Sequence, residues 1–196
     1  MAEIFVLMGK SSTGKDTVYK KLKEEMPELK NIVIYTTRPR REGEEDGREY
    51  FFTDEEGWQA LEKEGRIIES RAYETVHGIW KYFTVNDGQI DMNGEDKFLV
   101  IGTLEAYESF IRHYGQDHVV PIYIEVDDRT RIHRAMARED AGSNPGYAEM
   151  CRRFLADEKD FSEEKIDGLG IRKRYQNLEL TECISEIKAD IGKYMV

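Results

Sequence analysis

Close to its start the chain runs from a short apolar segment, EIFVL, straight into MGKSSTGKDTVYKKL, Met8 to Leu22. Gly9, Gly14 and Lys15 fit G-x-x-x-x-G-K after a strand-like run and before a helix-like one. That order is demanding. Backbone N–H groups can converge on one anion only if a strand tip, a tight loop and a helix N-terminus lie in line, and glycines let the chain approach closely. The spacing therefore predicts a phosphate loop formed by Gly9, Lys10, Ser11, Ser12, Thr13 and Gly14, with Lys15 set against the outer phosphates of a nucleoside triphosphate. The competing reading is a Gly/Ser-rich turn that only caps a helix. Strand, loop and lysine standing together argue against it.

The rest of the chain reads as a parallel sheet covered on both faces. Ile4–Leu7, Ile32–Tyr35, Phe98–Ile101 and Val119–Val126 are short and rich in Ile, Val, Phe or Tyr, as buried strands are. Between and after them fall helical stretches over 16–26, 104–114, 128–139, 147–161 and 178–194. Strands alternating with helices imply an α/β fold with a three-layer core. Residues from about 36 to 88 break the rhythm with a charged, aromatic stretch, expected to form an inserted lobe with short strands of its own. One domain of 196 residues is expected, without repeats. Its core covers about 1–35, 89–133 and 162–196, and a helical lid covers about 134–161, with the AGSNPG loop (141–146) read as mobile.

A formal charge of −11 argues against a general nucleic-acid binder, although a local basic cluster can still hold a small anion. Cys151 and Cys183 form neither a disulfide framework nor a metal set, and the histidines at 77, 113, 118 and 133 lack ligand spacing. No apolar run approaches a membrane span, and no leader fits ahead of the first strand, so a cytoplasmic protein is expected. After Lys15, where a hydroxyl residue is usual, stands Asp16, followed by Thr17. Asp16 is either a hard oxygen ligand for Mg²⁺, directly or through water, or an acidic group favoured by the helix dipole while Thr17 or water serves the metal.

The second dense constellation is YTTRPRREGEEDGREYFF, Tyr35 to Phe52. Arginines among acidic residues commonly make a solvated surface, but Arg38 and Arg41 can fork one phosphate and Tyr50 can reach the same anion. Here the chain resembles the guanylate kinase family nearly end to end. T-T-R-x-P-R-x-G-E-x-x-G-x-x-Y falls without a gap on Thr36, Thr37, Arg38, Arg41, Gly43, Glu44, Gly47 and Tyr50, with the proline displaced to Pro39. A later stretch, IIESRAYETVHGIWKYFT, is similar to the family's glutamate followed by Y-G-[ST], with a longer spacer. The resemblance implies that Thr37, Arg38, Arg41, Tyr50, Tyr82 and Thr84 bind GMP, mainly its phosphate, and that Glu69 reads its base. One carboxylate accepts from guanine N1–H and N2–H together, whereas adenine donates nothing from N1. Taken alone, Glu69 is an ordinary strand-end glutamate.

The lid reading rests on TRIHRAMARED, where Arg134 and Arg138 lie one helical turn apart. With Arg153 they match the family's lid arginines, whose implied role is to neutralise charge on the transferring phosphoryl group alongside Lys15. Without the resemblance they read as a solvated basic helix. Asn177 matches an asparagine implied to lie near the adenine of ATP. The resemblance thus implies a P-loop nucleotide-kinase core, Mg²⁺ as cofactor, ATP as donor and GMP as acceptor. Four departures stand out. Ile34 replaces a serine that contacts guanine, and Val100-Ile101-Gly102-Thr103 replaces a strand carrying two aspartates. Asp16 and Phe83, the latter in place of a glycine, complete the set. Thr103 and Glu105 remain as polar candidates at that strand end, and Asp16 is expected to compensate for the lost carboxylates. Asp127 and Asp128, which end an apolar strand, are expected to cap the next helix. A kinase of another phosphorylated acceptor, such as ribose bisphosphate, and a non-catalytic phosphopeptide-binding relative stay open as alternatives.

Overall fold

The computed structural model describes residues 1–75, 78–142 and 145–195. His77, with Ser143 and Asn144 of the expected mobile loop, lies outside the described residues. In chain order the elements are β1 (Glu3–Met8), α1 (Lys15–Glu25), β2 (Leu29–Asn31), β3 (Tyr35–Thr36), β4 (Phe51–Phe52), α2 (Glu55–Lys63), β5 (Ile67–Thr75) and β6 (Gly78–Val85). There follow β7 (Lys97–Ile101), α3 (Leu104–Tyr114), β8 (Val119–Glu125), α4 (Asp128–Asp140), α5 (Tyr147–Asp160), α6 (Glu163–Gly168), β9 (Arg174–Gln176) and α7 (Leu180–Ile191). The first sheet has the order β2-β7-β1-β8-β9, and every pairing in it is parallel.

β1 is the centre of this sheet and its apolar residues divide by the strand's period of two. Ile4, Val6 and Met8 pack into one core with Phe98, Val100, Tyr107 and Phe110. Phe5 and Leu7 pack into the other with Val18, Leu22, Ile184 and Ile187. The sheet is therefore a middle layer with α3 on one face and α1 and α7 on the other. Because both faces are covered, the strands read as unbroken apolar runs. β1 delivers the loop of residues 9–14 to the C-terminal edge of the sheet, where open α/β sheets bind ligands. No helix among the described residues is long and apolar enough to cross a membrane.

One expected strand is corrected. Ile32–Tyr35 is not a core strand; that place belongs to β2, paired from Leu29↔Lys97 to Asn31↔Leu99. The backbone of Val33 is satisfied by a side chain instead, donating to Gln89 Oε1 at 2.8 Å and accepting from Gln89 Nε2 at 3.1 Å. A glutamine amide can thus replace a neighbouring strand, and apolar periodicity does not register that. Tyr35 enters the second sheet. α6 and β9 also went unforeseen, being short and largely charged. The helices expected over 104–114 and 128–139 match α3 and α4, and Asp127 does cap α4, accepting from Thr130 N–H at 3.0 Å.

The second sheet, order β4-β3-β6-β5, is built from the stretch expected to be inserted, with Tyr35 of the expected core added to it. β5 and β6 form a long antiparallel hairpin whose base packs through Ile68 onto the core that contains α3. Its stability explains one departure from the family pattern. Phe83 is fully buried and stacks on Tyr35 with centroids 5.5 Å apart, and Tyr35 in turn packs on Phe51 at 4.8 Å. A glycine there would leave a void under β3. Phe83→Ala is expected to lower the unfolding free energy by about 3–5 kcal/mol, read from the urea midpoint at constant m-value.

Candidate functional site

The loop after β1 is shaped by contacts that exclude side chains. A Cβ on Gly9 would stand 2.5 Å from the carbonyl oxygen of Ile124, which belongs to backbone and cannot give way. Gly14 is left-handed (φ 88°) and precedes α1, and Ser12 is left-handed as well (φ 64°). Within the loop Thr13 donates from its hydroxyl to the Lys10 carbonyl at 2.9 Å. From outside, Asn177 Nδ2 donates to the Thr13 carbonyl at 2.7 Å, and Arg134 Nη2 donates to the Asn177 carbonyl at 2.8 Å. Asn177 thus acts on the loop's shape through its amide. Carbonyls held from behind leave the N-terminal N–H groups of α1 available to an anion, where the helix dipole adds its field. Lys15 starts α1 half-buried, and desolvation lowers its pKa, while the charges of Asp16 and Asp157 act in the opposite direction.

Arg131 ties this loop to α5. It is 1% exposed, yet its guanidinium has a partner at nearly every donor. Nε donates to the Ser11 carbonyl at 3.1 Å, Nη2 to Asp157 at 2.8 Å, and Nη1 to Asp128 at 2.6 Å and Glu158 at 3.1 Å. Asp157 accepts in addition from the Ser11 N–H at 2.8 Å, and Lys10 pairs with Glu158 at 2.8 Å. Neither Arg131 nor Asp157 was singled out from the sequence. Helical spacing puts Arg131, Arg134 and Arg138 on one side of α4, but spacing cannot tell which arginine is buried.

The expected lid arginines divide. Arg134 lies against the loop. Arg138 and Arg153 are exposed, facing Glu139 at 3.6 Å and Glu149 at 2.9 Å. Exposed pairs of this kind hold with about 1 kcal/mol or less, so both side chains can turn elsewhere. They share with Ser11, Ser12 and Arg131 the wall of a cavity of about 310 Å³ between α4 and α5, whose other side is apolar (Met150, Phe154). Cationic side chains and phosphate-loop serines thus border one space.

A second cluster lies on the other sheet. Arg38 is 3% exposed and forks Glu44 with bonds of 2.7 and 3.0 Å, its guanidinium lying 5.4 Å from the Tyr50 ring centre. Glu44 raises its pKa most, burial opposes this, and the neighbouring Tyr82 hydroxyl raises it further. Tyr50 and Tyr82 meet edge to face at 5.6 Å. Burial pushes the Tyr50 hydroxyl up, Tyr82 reinforces that, and the charges of Arg38 and Arg71 oppose it. Arg41 is exposed and offers its backbone N–H to Glu44 at 2.8 Å. Thr37 pins the segment by accepting the Lys81 N–H at 2.9 Å. Glu69 is buried on β5, receiving Thr84 Oγ1 at 2.9 Å and the Arg71 guanidinium at 3.1 and 3.4 Å. Arg71, like Arg131, was missed, since an arginine two positions from a glutamate carries no motif.

At the end of β7 no acidic pair is rebuilt. Thr103 caps α3, accepting the Ala106 N–H at 3.2 Å. Gly102 is packed so that a Cβ would lie 2.9 Å from Val6 Cγ1. Among the described residues no three His, Cys, Asp or Glu side chains form a metal cage. A Mg²⁺ ion bound with nucleotide would not require such a cage, because phosphates and water would supply most of its ligands and one or two protein oxygens the rest. Asp16 and Thr17 are exposed in the first turn of α1 next to Lys15, and a hard carboxylate there fits that donor set.

The guanylate kinase family model matches residues 1–77. The guanylate kinase of Thermobifida fusca is 45% identical over 172 residues, 77% of this chain and 88% of that one. The guanylate kinase of Oceanobacillus iheyensis is 37% identical over 113 residues, 55% of this chain. This chain spans 52% of the length of that relative and 39% of the guanylate kinase of Coxiella burnetii. The crystal structure of guanylate kinase from Anaplasma phagocytophilum shares the fold, with a TM-score of 0.68 at 21% identity over 98% of this chain and 85% of that one.

Arg131 is where the loop is most vulnerable. Arg131→Met should leave Asp157 buried without its cation and destabilise the protein by about 3–5 kcal/mol. Thermal unfolding checks this, and a midpoint within a degree of the parent would rule out the role given to Arg131.

Proposed function

The chain belongs to the guanylate kinase family, and from that premise we propose that it transfers the γ-phosphoryl group of ATP to GMP, giving ADP and GDP. The observation that supports this most directly is a buried carboxylate, Glu69, on the same hairpin as Tyr82, whose ring meets Tyr50 and through it the Arg38 guanidinium, so that a base acceptor and a phosphate-binding cluster share one lobe.

The donor lies along the loop of Gly9, Lys10, Ser11, Ser12, Thr13 and Gly14. Its anionic oxygens accept N–H groups at the start of α1, and Lys15 neutralises the outer phosphates. Asp16 and Thr17 are the residues that would hold Mg²⁺, which supplies charge neutralisation on the phosphates and orients them when bound. Arg38, Arg41, Tyr50 and Tyr82 bind the acceptor phosphate, while Glu69, steadied by Thr84, accepts from the guanine edge. Thr37 keeps the segment that carries Arg38 on β6, and Thr103 supports the floor of the cleft through α3. Asn177 and Arg134 shape the donor loop.

Phosphoryl transfer asks little covalent chemistry of a protein; positioning and charge stabilisation carry it. Arg134, Arg138 and Arg153 supply that charge as the lid (about 134–161) and the monophosphate lobe (about 36–88) close on the core. Water is excluded on closure, and every remaining electrostatic contact strengthens. Cys151 and Cys183 are both free thiols, which supports a reducing, cytoplasmic setting.

A coupled assay of ADP release, run with Mg·ATP against GMP, dGMP, AMP, CMP, UMP and ribose bisphosphate, tests the reading. GMP is expected to be the preferred acceptor, and Lys15→Ala to reduce turnover at least about 100-fold. Turnover with AMP or ribose bisphosphate but not with GMP would sink the assignment. Asp16→Ser separates the two roles of that residue. If Asp16 replaces the missing carboxylates, the serine variant should lose Mg²⁺-dependent turnover even though serine is the family's usual residue, whereas full activity would refute compensation.

A further inference from the structure

Resting on the acceptor reading above, a count of hydrogen-bond positions at Glu69 leads to a narrower statement about which bases the site accepts. An ionised carboxylate offers about four lone-pair positions. At Glu69 three are occupied by the protein itself: Arg71 Nε on Oε2 at 3.1 Å, Arg71 Nη2 on Oε1 at 3.4 Å and Thr84 Oγ1 on Oε1 at 2.9 Å. The carboxylate meets little water, since its side chain is 4% exposed and that of Arg71 16%. Strand register holds the arrangement in place. Glu69 pairs with Thr84 and Arg71 with Tyr82, and residues two apart on a strand point to the same face.

Guanine needs two acceptor positions, for N1–H and the 2-amino group. Two added to three exceeds four, so guanine binds with its full set only if a guanidinium bond opens, and the 3.4 Å bond from Nη2 is the weaker of the two. Hypoxanthine carries N1–H and the 6-oxo group but no 2-amino group, so it needs one position, the number left free. Adenine directs a lone pair from N1 at the carboxylate and is repelled.

We propose that Arg71 is a specificity-determining residue. By occupying acceptor positions of Glu69 it cancels most of the advantage of the 2-amino group, so that the site accepts 6-oxopurine monophosphates as a class, inosine 5′-monophosphate beside GMP. Arg71 also keeps the buried carboxylate paired with a cation while the site is empty, which accounts for its presence on this face.

Titration calorimetry with GMP and inosine 5′-monophosphate measures the ratio of their dissociation constants. In the unaltered protein the two should agree within about threefold. Arg71→Lys keeps the charge but replaces the two-pronged fork by one point contact, freeing a position. The ratio should then move to at least about tenfold in favour of GMP, the worth of one hydrogen bond to a charged group. Arg71→Met should move it the same way; should that variant fail to fold because Glu69 is buried without a cation, the lysine variant carries the test. A ratio above tenfold in the unaltered protein, or one unchanged in Arg71→Lys, overturns the role of Arg71 and leaves GMP binding intact. Binding of neither nucleotide by the folded protein overturns the acceptor assignment itself, and this inference with it.

Discussion

The structure depends on a main chain forced into a narrow anion-binding loop and held there from behind. Gly9 passes the backbone of β8 at a distance that admits no side chain, Asn177 holds the Thr13 carbonyl, and Arg131 holds the Ser11 carbonyl. A loop of exposed N–H groups is electrostatically unfavourable without an anion, and an unsupported one would relax by turning those groups toward its own carbonyls. Occupying the carbonyls with outside donors removes that route. Preorganisation of this kind lets binding free energy go into holding the ligand and not into ordering the loop.

Arg131 also fastens the start of α4 and the end of α5 to the loop. Its guanidinium reaches the loop, the start of α4 and the end of α5 together, and α4 and α5 carry the exposed Arg138 and Arg153. A buried cation with several carboxylate partners is weak as a source of stability, because desolvation offsets most of the attraction. Its value is geometric: few other arrangements satisfy a buried guanidinium, so α5 has one seat against the loop. The exposed guanidinium groups are thus attached to a rigid base while they themselves stay loosely paired. The lobe repeats the pattern, with buried Arg38 forked by Glu44 and exposed Arg41 free to turn.

Much of this was legible in the chain because local chemistry carried it. Gly9, Gly14 and Lys15 announce the loop, the apolar runs at β1, β7 and β8 announce a sheet buried on both faces, and α3 and α4 begin and end where their capping residues stand. The failures share a cause. Ile32–Ile34 is as apolar as a strand, but its hydrogen-bond partner is the side chain of Gln89, more than 50 residues away. Phe83 looked like a departure from a glycine position until Tyr35 was found against it. Arg71, Arg131 and Asp157 belong to no motif, and their importance comes from burial beside oppositely charged groups.

What the sequence determined by itself is the class of chemistry: a phosphate loop on a parallel sheet, a second set of arginine and tyrosine residues, and a basic helix to span them. Those follow from backbone geometry and from short-range spacing, both of which act over a few residues. Which arginines anchor and which stay free, and how many acceptor positions Glu69 keeps, were decided only when distant segments packed together. Burial and the pairing of charges are properties of a neighbourhood in space, and the order of residues along a chain does not specify them.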